Sequence, residues 1–481
     1  MTQKTQIYTN VILYIINDMQ NHFFKFARFC VFCVLLIRPH EPTLQIYTKL
    51  YYLCILIFII IMQRSDFEIM SPAGSYESLH AAIQGGADSV YFGIEKLNMR
   101  SRSASNFTTD DLREIVRICK ENNIKSYLTL NTVIYNDDLA LMREIIDTAK
   151  ESGVSAIIAA DVAAMLYARQ QGVEVHLSTQ LNIANMEALR FYAQFADVVV
   201  LARELNMEQV AAIYKAIRDE QMRGPKGELI RIEMFCHGAL CMAVSGKCYL
   251  SLHELNASAN RGACYQVCRH GYRLIDDERD IEIKTDNQYL MSPKDLKTIH
   301  FLNKLIDSGV RVFKIEGRAR GPEYVKLVTQ CYNEAINSYL DGDFSDEKVA
   351  GWDDRLKTVF NRGFWNGYYL GQRLGEWSST YGSEATKRKV YVAKGVRYFS
   401  KLGVAEFLVE TKYGVKTSDD LLIMGPTTGV IELKAEGIQV DYQPAEGAGR
   451  GELFSIAVPC KIRPSDKLYK VVDAGEVPDN Q

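Results

Sequence analysis

The chain has 481 residues, 47% of them hydrophobic and 24% charged, with 56 Lys and Arg against 59 Asp and Glu and 11 Cys. That mixture excludes fibrous, disordered and disulfide-stapled mini-protein classes, and the length suits one large domain plus at least one smaller one. A formal net charge of -3 argues against coating nucleic acid through bulk charge, while a local basic groove stays open.

Residues 1–61 differ in composition from the rest: no Gly, one Ala (Ala27) and two acids (Asp18 and Glu41), with apolar runs at Phe29–Ile37 and Leu50–Met62. Both runs fall short of the roughly 18 to 20 apolar residues a bilayer span needs, and Gln63-Arg64-Ser65-Asp66 is no small-residue cleavage site. The segment is therefore read as an upstream extension ahead of initiation at Met62, in preference to a membrane anchor or a targeting signal. The remaining 420 residues carry a net charge of -6 and eight Cys, five of them between Cys236 and Cys268.

From Phe67 onward, short apolar or β-branched runs alternate with amphipathic stretches of helical period, the pattern of strand-helix units around a parallel sheet. Eight strands are expected: Phe67–Met70, Ser89–Phe92, Lys125–Leu130, Ala156–Ala159, Glu174–Leu177, Asp197–Leu201, Arg231–Phe235 and Arg311–Ile315. Among the helices, Asp110–Asn122 carries Leu112, Ile115, Val116 and Cys119 on one face behind the capping candidates Thr108 and Thr109. Eight units in about 260 residues predict a TIM-like (β/α)8 barrel over 62–340, with an open doubly wound sheet as the alternative. A cysteine-rich insertion at 236–290 follows strand seven, over the face where such barrels keep their active sites. A Gly-, Trp- and Tyr-rich connector spans 341–386. Then the period changes to two, predicting strands at Val390–Val396, Val404–Val409, Leu421–Met424, Val430–Leu433, Leu453–Ile456 and Leu468–Val471 in a small β-barrel or sandwich over 387–475.

The most specific chemical signal is Cys241-x6-Cys248-x15-Cys264-x3-Cys268. Four thiolates can hold a [4Fe-4S] cluster or a structural zinc, and the long first gap departs from the paired knuckles zinc favours. Cys236, at a strand end, reads as a packed residue.

The stretch Glu233–Ser251, which contains the first two of those cysteines, resembles the signature of peptidase family U32, the collagenase-like proteins. So do Met70-Ser-Pro-Ala-Gly74, Tyr289-Leu-Met-Ser-Pro-Lys-Asp295 and Lys314-Ile-Glu-Gly-Arg318. The resemblance runs from Met62 through the C-terminal β domain. It implies a cytosolic, oxygen-independent hydroxylase with a [4Fe-4S] cluster on Cys241, Cys248, Cys264 and Cys268, acting on tRNA wobble uridine or 23S rRNA cytidine with prephenate as oxygen donor. The alternatives are a U32-type peptidase and a zinc-stabilised RNA-binding module. No Gly-x-Ser-x-Gly elbow occurs, and His253-Glu254 lacks the second His of a zinc protease helix.

Strand ends supply the remaining candidates: Asn131, Asp161, Ser178, Gln180, Arg203, Glu204, Glu233, His237, Glu316 and Arg318. Glu316 and Arg318 lead as catalytic residues, because a charged pair ending an apolar strand is otherwise costly to desolvate. His237 follows as an acid or base beside the cluster, its plainer alternative being a neutral, backbone-bonded ring, and then Glu233. For an RNA substrate, Arg100, Arg102, Lys294, Arg318, Arg320, Lys387, Arg388 and Lys389 are candidates for a phosphate path.

Overall fold

The computed structural model describes residues 62–102, 106–283, 289–372 and 374–476. The expectations about residues 1–61 lie outside the described residues. The described residues fall into two compact units: 62–67 with Glu334–Lys348, and Glu68–Asn333 with 349–476. In the first, a turn at Arg64–Asp66 is closed by the Gln63 N–H donating to the Asp66 carboxylate at 2.7 Å. Within Glu334–Lys348, Lys348 pairs with Asp343 at 2.7 Å.

The second unit contains the barrel. Its strands are β1 (Glu68–Pro72), β2 (Ser89–Phe92), β3 (Lys125–Leu130), β4 (Ala156–Ala159), β5 (Val175–Leu177), β6 (Val198–Val200), β7 (Arg231–Gly238) and, after the short strands β8 (Leu274–Asp276), β9 (Ile281–Ile283) and β10 (Asp295–Lys297), β11 (Val310–Ile315). Strands β1 to β7 pair in chain order, and β11 pairs in parallel with both β7 and β1, which closes the ring. Closure decides for the (β/α)8 barrel over the open sheet. Helices α1 (Tyr76–Gln84), α2 (Thr109–Glu121), α3 (Leu139–Ser152), α4 (Val162–Gln170), α5 (Met186–Ala193) and α6 (Met207–Asp219) connect the first seven strands. The strands are buried on both faces, hence their continuous rather than alternating hydrophobicity. Thr108 caps α2 in a capping box with Asp111, which ends the loop where the sequence predicts.

The insertion leaves the C-terminal end of β7. It holds helix α7 (Leu250–Leu255) and the β8–β9 hairpin, then returns through β10, which lies antiparallel on β7. Helix α8 (Leu302–Asp307) leads into β11, and α9 (Pro322–Leu340) follows it. The connector contains α10 (Asp346–Leu356) and β12 (Phe364–Trp365), which extends the sheet in parallel on β10.

The C-terminal β domain comprises β13 (Lys387–Phe399), β14 (Val404–Val409), β15 (Val415–Lys416), β16 (Asp420–Gly425), β17 (Gly429–Lys434), β18 (Gln439–Val440), β19 (Gln443–Pro444), β20 (Gly447–Ala448), β21 (Leu453–Ala457) and β22 (Lys467–Asp473). Eight of them form one antiparallel sheet in the order β17-β16-β22-β13-β14-β21-β18-β19, and β15 pairs with β20. Both sheets contribute to one apolar core that includes Val392, Phe407, Val415, Ala448 and Phe454. The domain is tied to barrel helix α1 by Gln84, whose side chain donates to the Thr428 carbonyl and accepts from the Val430 N–H, both at 2.9 Å. No helix among the described residues is long and apolar enough to cross a membrane.

Candidate active site

A cavity of about 200 Å³ opens at the C-terminal mouth of the barrel. Tyr91, Thr129, Ile158, Phe235 and Lys314 line its floor from five different strands. Asn131, Ser178, Gln180 and Arg203 stand above them on the loops, as expected from the strand ends. The insertion covers the opening with Cys241, Cys248, Cys264 and Cys268, so 28 residues of sequence converge on one space.

All four cysteines are free, Cys241 exposed and the others half-buried. Burial raises the Cys268 thiol to about 11; Arg269 opposes that, while Cys241, Cys264 and Cys248 add to it. Cys248 is raised by burial, which a hydrogen bond from the Leu250 backbone opposes, and further by Cys241 and Cys264. Among the described residues no three His, Cys, Asp or Glu side chains are grouped tightly enough to grip a single metal ion.

Glu316 and Arg318 leave β11 side by side in sequence and both line the cavity. Burial opposes the Glu316 charge, but Arg100, Arg320 and Arg203 outweigh it and hold the carboxyl below its ordinary range. Arg100 makes the direct contact, at 3.1 Å. Arg318 is almost fully enclosed; burial pulls its guanidinium down to about 10. Its fork is fixed by Asn98 Oδ1 at 2.8 Å and Thr129 Oγ1 at 3.2 Å. The backbone is shaped around it, since a Cβ at Gly74 would collide with the Arg318 carbonyl and one at Gly93 with its guanidinium.

Two expected catalytic residues lie elsewhere. Glu233 is fully buried and paired with Lys314 at 2.7 Å, contributing nothing to the cavity wall itself; it holds the Lys314 ammonium that does. His237 also lies off the cavity, packed against Tyr324, Tyr332 and Phe364. The cause is a register shift on β7: Lys314 pairs with Phe235 and Ile315 with His237, leaving Cys236 unpaired in the ladder. That bulge breaks the alternation and turns His237 away from the mouth. Burial, then Lys297 and Arg320, lower its pKa to about 3, so it stays neutral and cannot serve as the acid expected of it. Cys236 is fully buried, its thiol donating to the Lys314 carbonyl at 3.4 Å.

The other expectations divide similarly. Asp161 caps α4 through the Ala163 N–H and also accepts from the Ile134 N–H, a structural post. Glu204 lines a smaller neighbouring cavity. Of the basic residues, Arg100 and Arg318 reach the main cavity, whereas Arg320 is buried against Asp295 at 2.9 Å. Arg102 is exposed. Lys294, Lys387 and Lys389 are paired with Glu376, Asp473 and Glu323 at 2.9, 2.7 and 2.6 Å, and Arg388 lies between the last two on β13. Sequence reading missed Lys314 and Arg269 as cavity residues. Arg269 donates to Ser292 Oγ and to the carbonyls of Pro293 and Leu240, fastening the last cysteine to the Tyr289–Asp295 motif.

Among the described residues the lining carries five cations, Arg100, Arg203, Arg269, Lys314 and Arg318, against one carboxylate, Glu316, and neither His nor Asp. Such a wall suits an anionic ligand.

Several known proteins are similar to this chain. A Porphyromonas gingivalis protein named collagenase is 64% identical over 409 residues, covering 85% of this chain and 99% of its own length. The Bacillus subtilis tRNA hydroxylation protein P1 is 33% identical over 302 residues, 61% of this chain and 69% of its own. The Escherichia coli 23S rRNA 5-hydroxycytidine C2501 synthase is 37% identical over 316 residues, 64% of this chain and 46% of its own. The family described as Peptidase family U32 matches residues 74–379, more than half of the sequence, and the chain belongs to that family.

Proposed function

We propose that this chain is an oxygen-independent RNA hydroxylase that works in the cytoplasm and carries a [4Fe-4S] cluster on Cys241, Cys248, Cys264 and Cys268. The observation that carries the reading is the meeting of those four thiols on one cation-lined mouth. Their donor chemistry fits the group, and a cluster anchors each thiolate on a separate iron, so it does not need the tight donor shell of a lone ion. Bound there, the cluster would supply one-electron chemistry beside the substrate.

The chain's own residues bind and orient. A base must leave its stack to enter a barrel mouth, which favours a single-stranded loop of tRNA or rRNA. Arg100, Arg269 and Arg318 offer charge to RNA phosphates or to the carboxylates of prephenate, the oxygen donor the family resemblance implies. Glu316, held ionised by Arg100, accepts rather than donates at neutral pH. The RNA-directed relatives support this reading. Anaerobically purified protein should be brown with about four irons per chain, and nucleosides from a deletion strain should lack one hydroxylated pyrimidine. Colourless, iron-free protein sinks the proposal.

The relative named collagenase favours a second reading, a peptidase. Among the described residues the wall offers no His or Asp beside a Ser or Cys of the cavity, the pairing that usually activates such a nucleophile. Gelatin hydrolysis that survives Ser at all four cysteines would establish it.

A further inference from the structure

Beside the main cavity lies a narrow cleft of about 20 Å³, walled by Trp365, Tyr368, Trp377, Arg203 and Glu204 and sharing Arg203, Leu240, Cys241 and Ser245 with the main cavity. Its aromatic wall is built by the connector. Strand β12 places Trp365, whose indole N–H donates to the Lys294 carbonyl at 3.1 Å. The chain then folds back along the Tyr289–Asp295 motif: Lys294 N–H donates to the Glu376 carbonyl, Ser378 N–H to the Ser292 carbonyl, and Pro293 bridges to Trp377. Trp377 is thereby fixed next to Cys241, yet 37% of its surface stays exposed. Tyr368 packs edge-on against Trp365 at 5.3 Å.

Arg203 spans both cavities. It lies over the Phe235 ring at 4.4 Å; its one side-chain bond is a long one to the Ala239 carbonyl, and its buried Nε has no partner. A guanidinium with spare donors beside an exposed indole matches a nucleotide: phosphate on the fork, base on the ring. Exposed Glu204 adds an acceptor for an exocyclic amine at the base edge.

We infer that the rim of this cleft, where the exposed Trp377 stands beside Arg203, is a subsite for the nucleotide flanking the target base, with that base stacked on Trp377 from outside and its phosphate on Arg203. The assignment rests on the RNA reading above and adds the residues that would position the strand.

The test uses the full chain, a mixed-sequence RNA hexamer and an abasic hexamer of equal length. The chain has three Trp, all of which emit, but Trp352 and Trp365 are buried, so contact quenching by a stacked base acts on Trp377. The RNA hexamer should quench it and the abasic strand should not. Trp377→Ala should weaken RNA binding about tenfold, the scale of one lost base stack, without changing affinity for the abasic strand. Trp377→Phe should restore affinity while abolishing the quenching, which separates stacking from folding. RNA affinity unchanged in Trp377→Ala, or wild-type quenching equal with both strands, overturns the subsite and leaves the hydroxylase reading intact. Wild-type protein that binds neither strand but cleaves gelatin overturns that reading, and the subsite with it.

Discussion

Glu68 and Glu316 are carboxylates at opposite ends of the barrel, and their surroundings give them different work. Glu68 opens β1, is 2% exposed, accepts from Tyr127 at 2.6 Å and pairs with Lys125 at 2.8 Å and Arg231 at 3.1 Å. Burial opposes its charge, but the two cations and the hydrogen bonds prevail and bring its pKa from 4.5 down to about 2. A carboxyl depressed in the folded state stabilises it fully above the unfolded pKa, and that contribution fades as pH falls from about 4.5 to about 2. By linkage it is worth about 3 kcal/mol at pH 7. Glu68→Gln should therefore cost about that much in urea unfolding at pH 7, and the gap to wild type should close across that acid window. A gap that persists at pH 2 would refute the assignment. At the mouth, Arg100→Ala leaves Glu316 buried without its nearest cation and should cost more stability than Glu316→Gln, by about 2 kcal/mol. Equal unfolding midpoints for the two variants would show that the pair is only a surface contact.

Elements set how tightly that mouth is assembled, and the turn out of β7 is closely constrained. Gly238 sits at φ +104°, where a Cβ would collide with the Glu316 carbonyl and the Tyr324 hydroxyl. Gly238→Ala should cost about 3 kcal/mol and lower Tm by roughly 6 to 12 °C. Gly172, at φ +74° with open space around it, should cost only about 1 kcal/mol as Ala. Matching Tm losses would mean that backbone strain alone decides, and the packing against Glu316 does not. The barrel strands were legible because apolar runs repeat at the spacing of strand-helix units, and three of them, β2, β3 and β4, match residue for residue, as does β14 of the C-terminal domain. The bulge was not legible: the expected strand stops at Phe235 and puts His237 at the mouth, whereas β7 runs on through Gly238 with His237 turned away; Cys236, read as a packed residue, is buried. Strands β10 and β12, of three and two residues, are too short to carry a period and form because β7 offers an edge above the barrel. In the site, crowding betrayed the cysteines, and charge on an apolar strand betrayed Glu316 and Arg318. Trp377 gave no signal, because a long-range fold-back rather than any local pattern brings it beside Cys241.

At the scale of the molecule, the barrel, the insertion and the C-terminal sheet differ in what holds them. The barrel encloses a ring of apolar side chains that includes Met70, Tyr127, Ile158 and Val312, and the C-terminal domain has its own core. Among the described residues of the insertion, Tyr249, Leu255, Tyr265, Leu274, Ile275 and Ile281 are all exposed, and few apolar side chains, such as Leu240 and Val267, are buried. Its order relies on point attachments, such as Arg261 on Asp138 and the Val133 carbonyl, and Arg269 on Ser292, Pro293 and Leu240. A cluster bound by Cys241, Cys248, Cys264 and Cys268 would close loops of six, fifteen and three residues, coupling metal binding to the folding of this segment alone. Unfolding should then proceed in two stages rather than one. Anaerobic chelation of the iron should open the chain to trypsin at Arg261 and Arg269 while the barrel and the C-terminal sheet resist, and Cys264→Ser should reproduce that pattern without chelator. Identical digestion of the iron-loaded and iron-depleted protein would mean that the point attachments suffice and the thiols brace nothing.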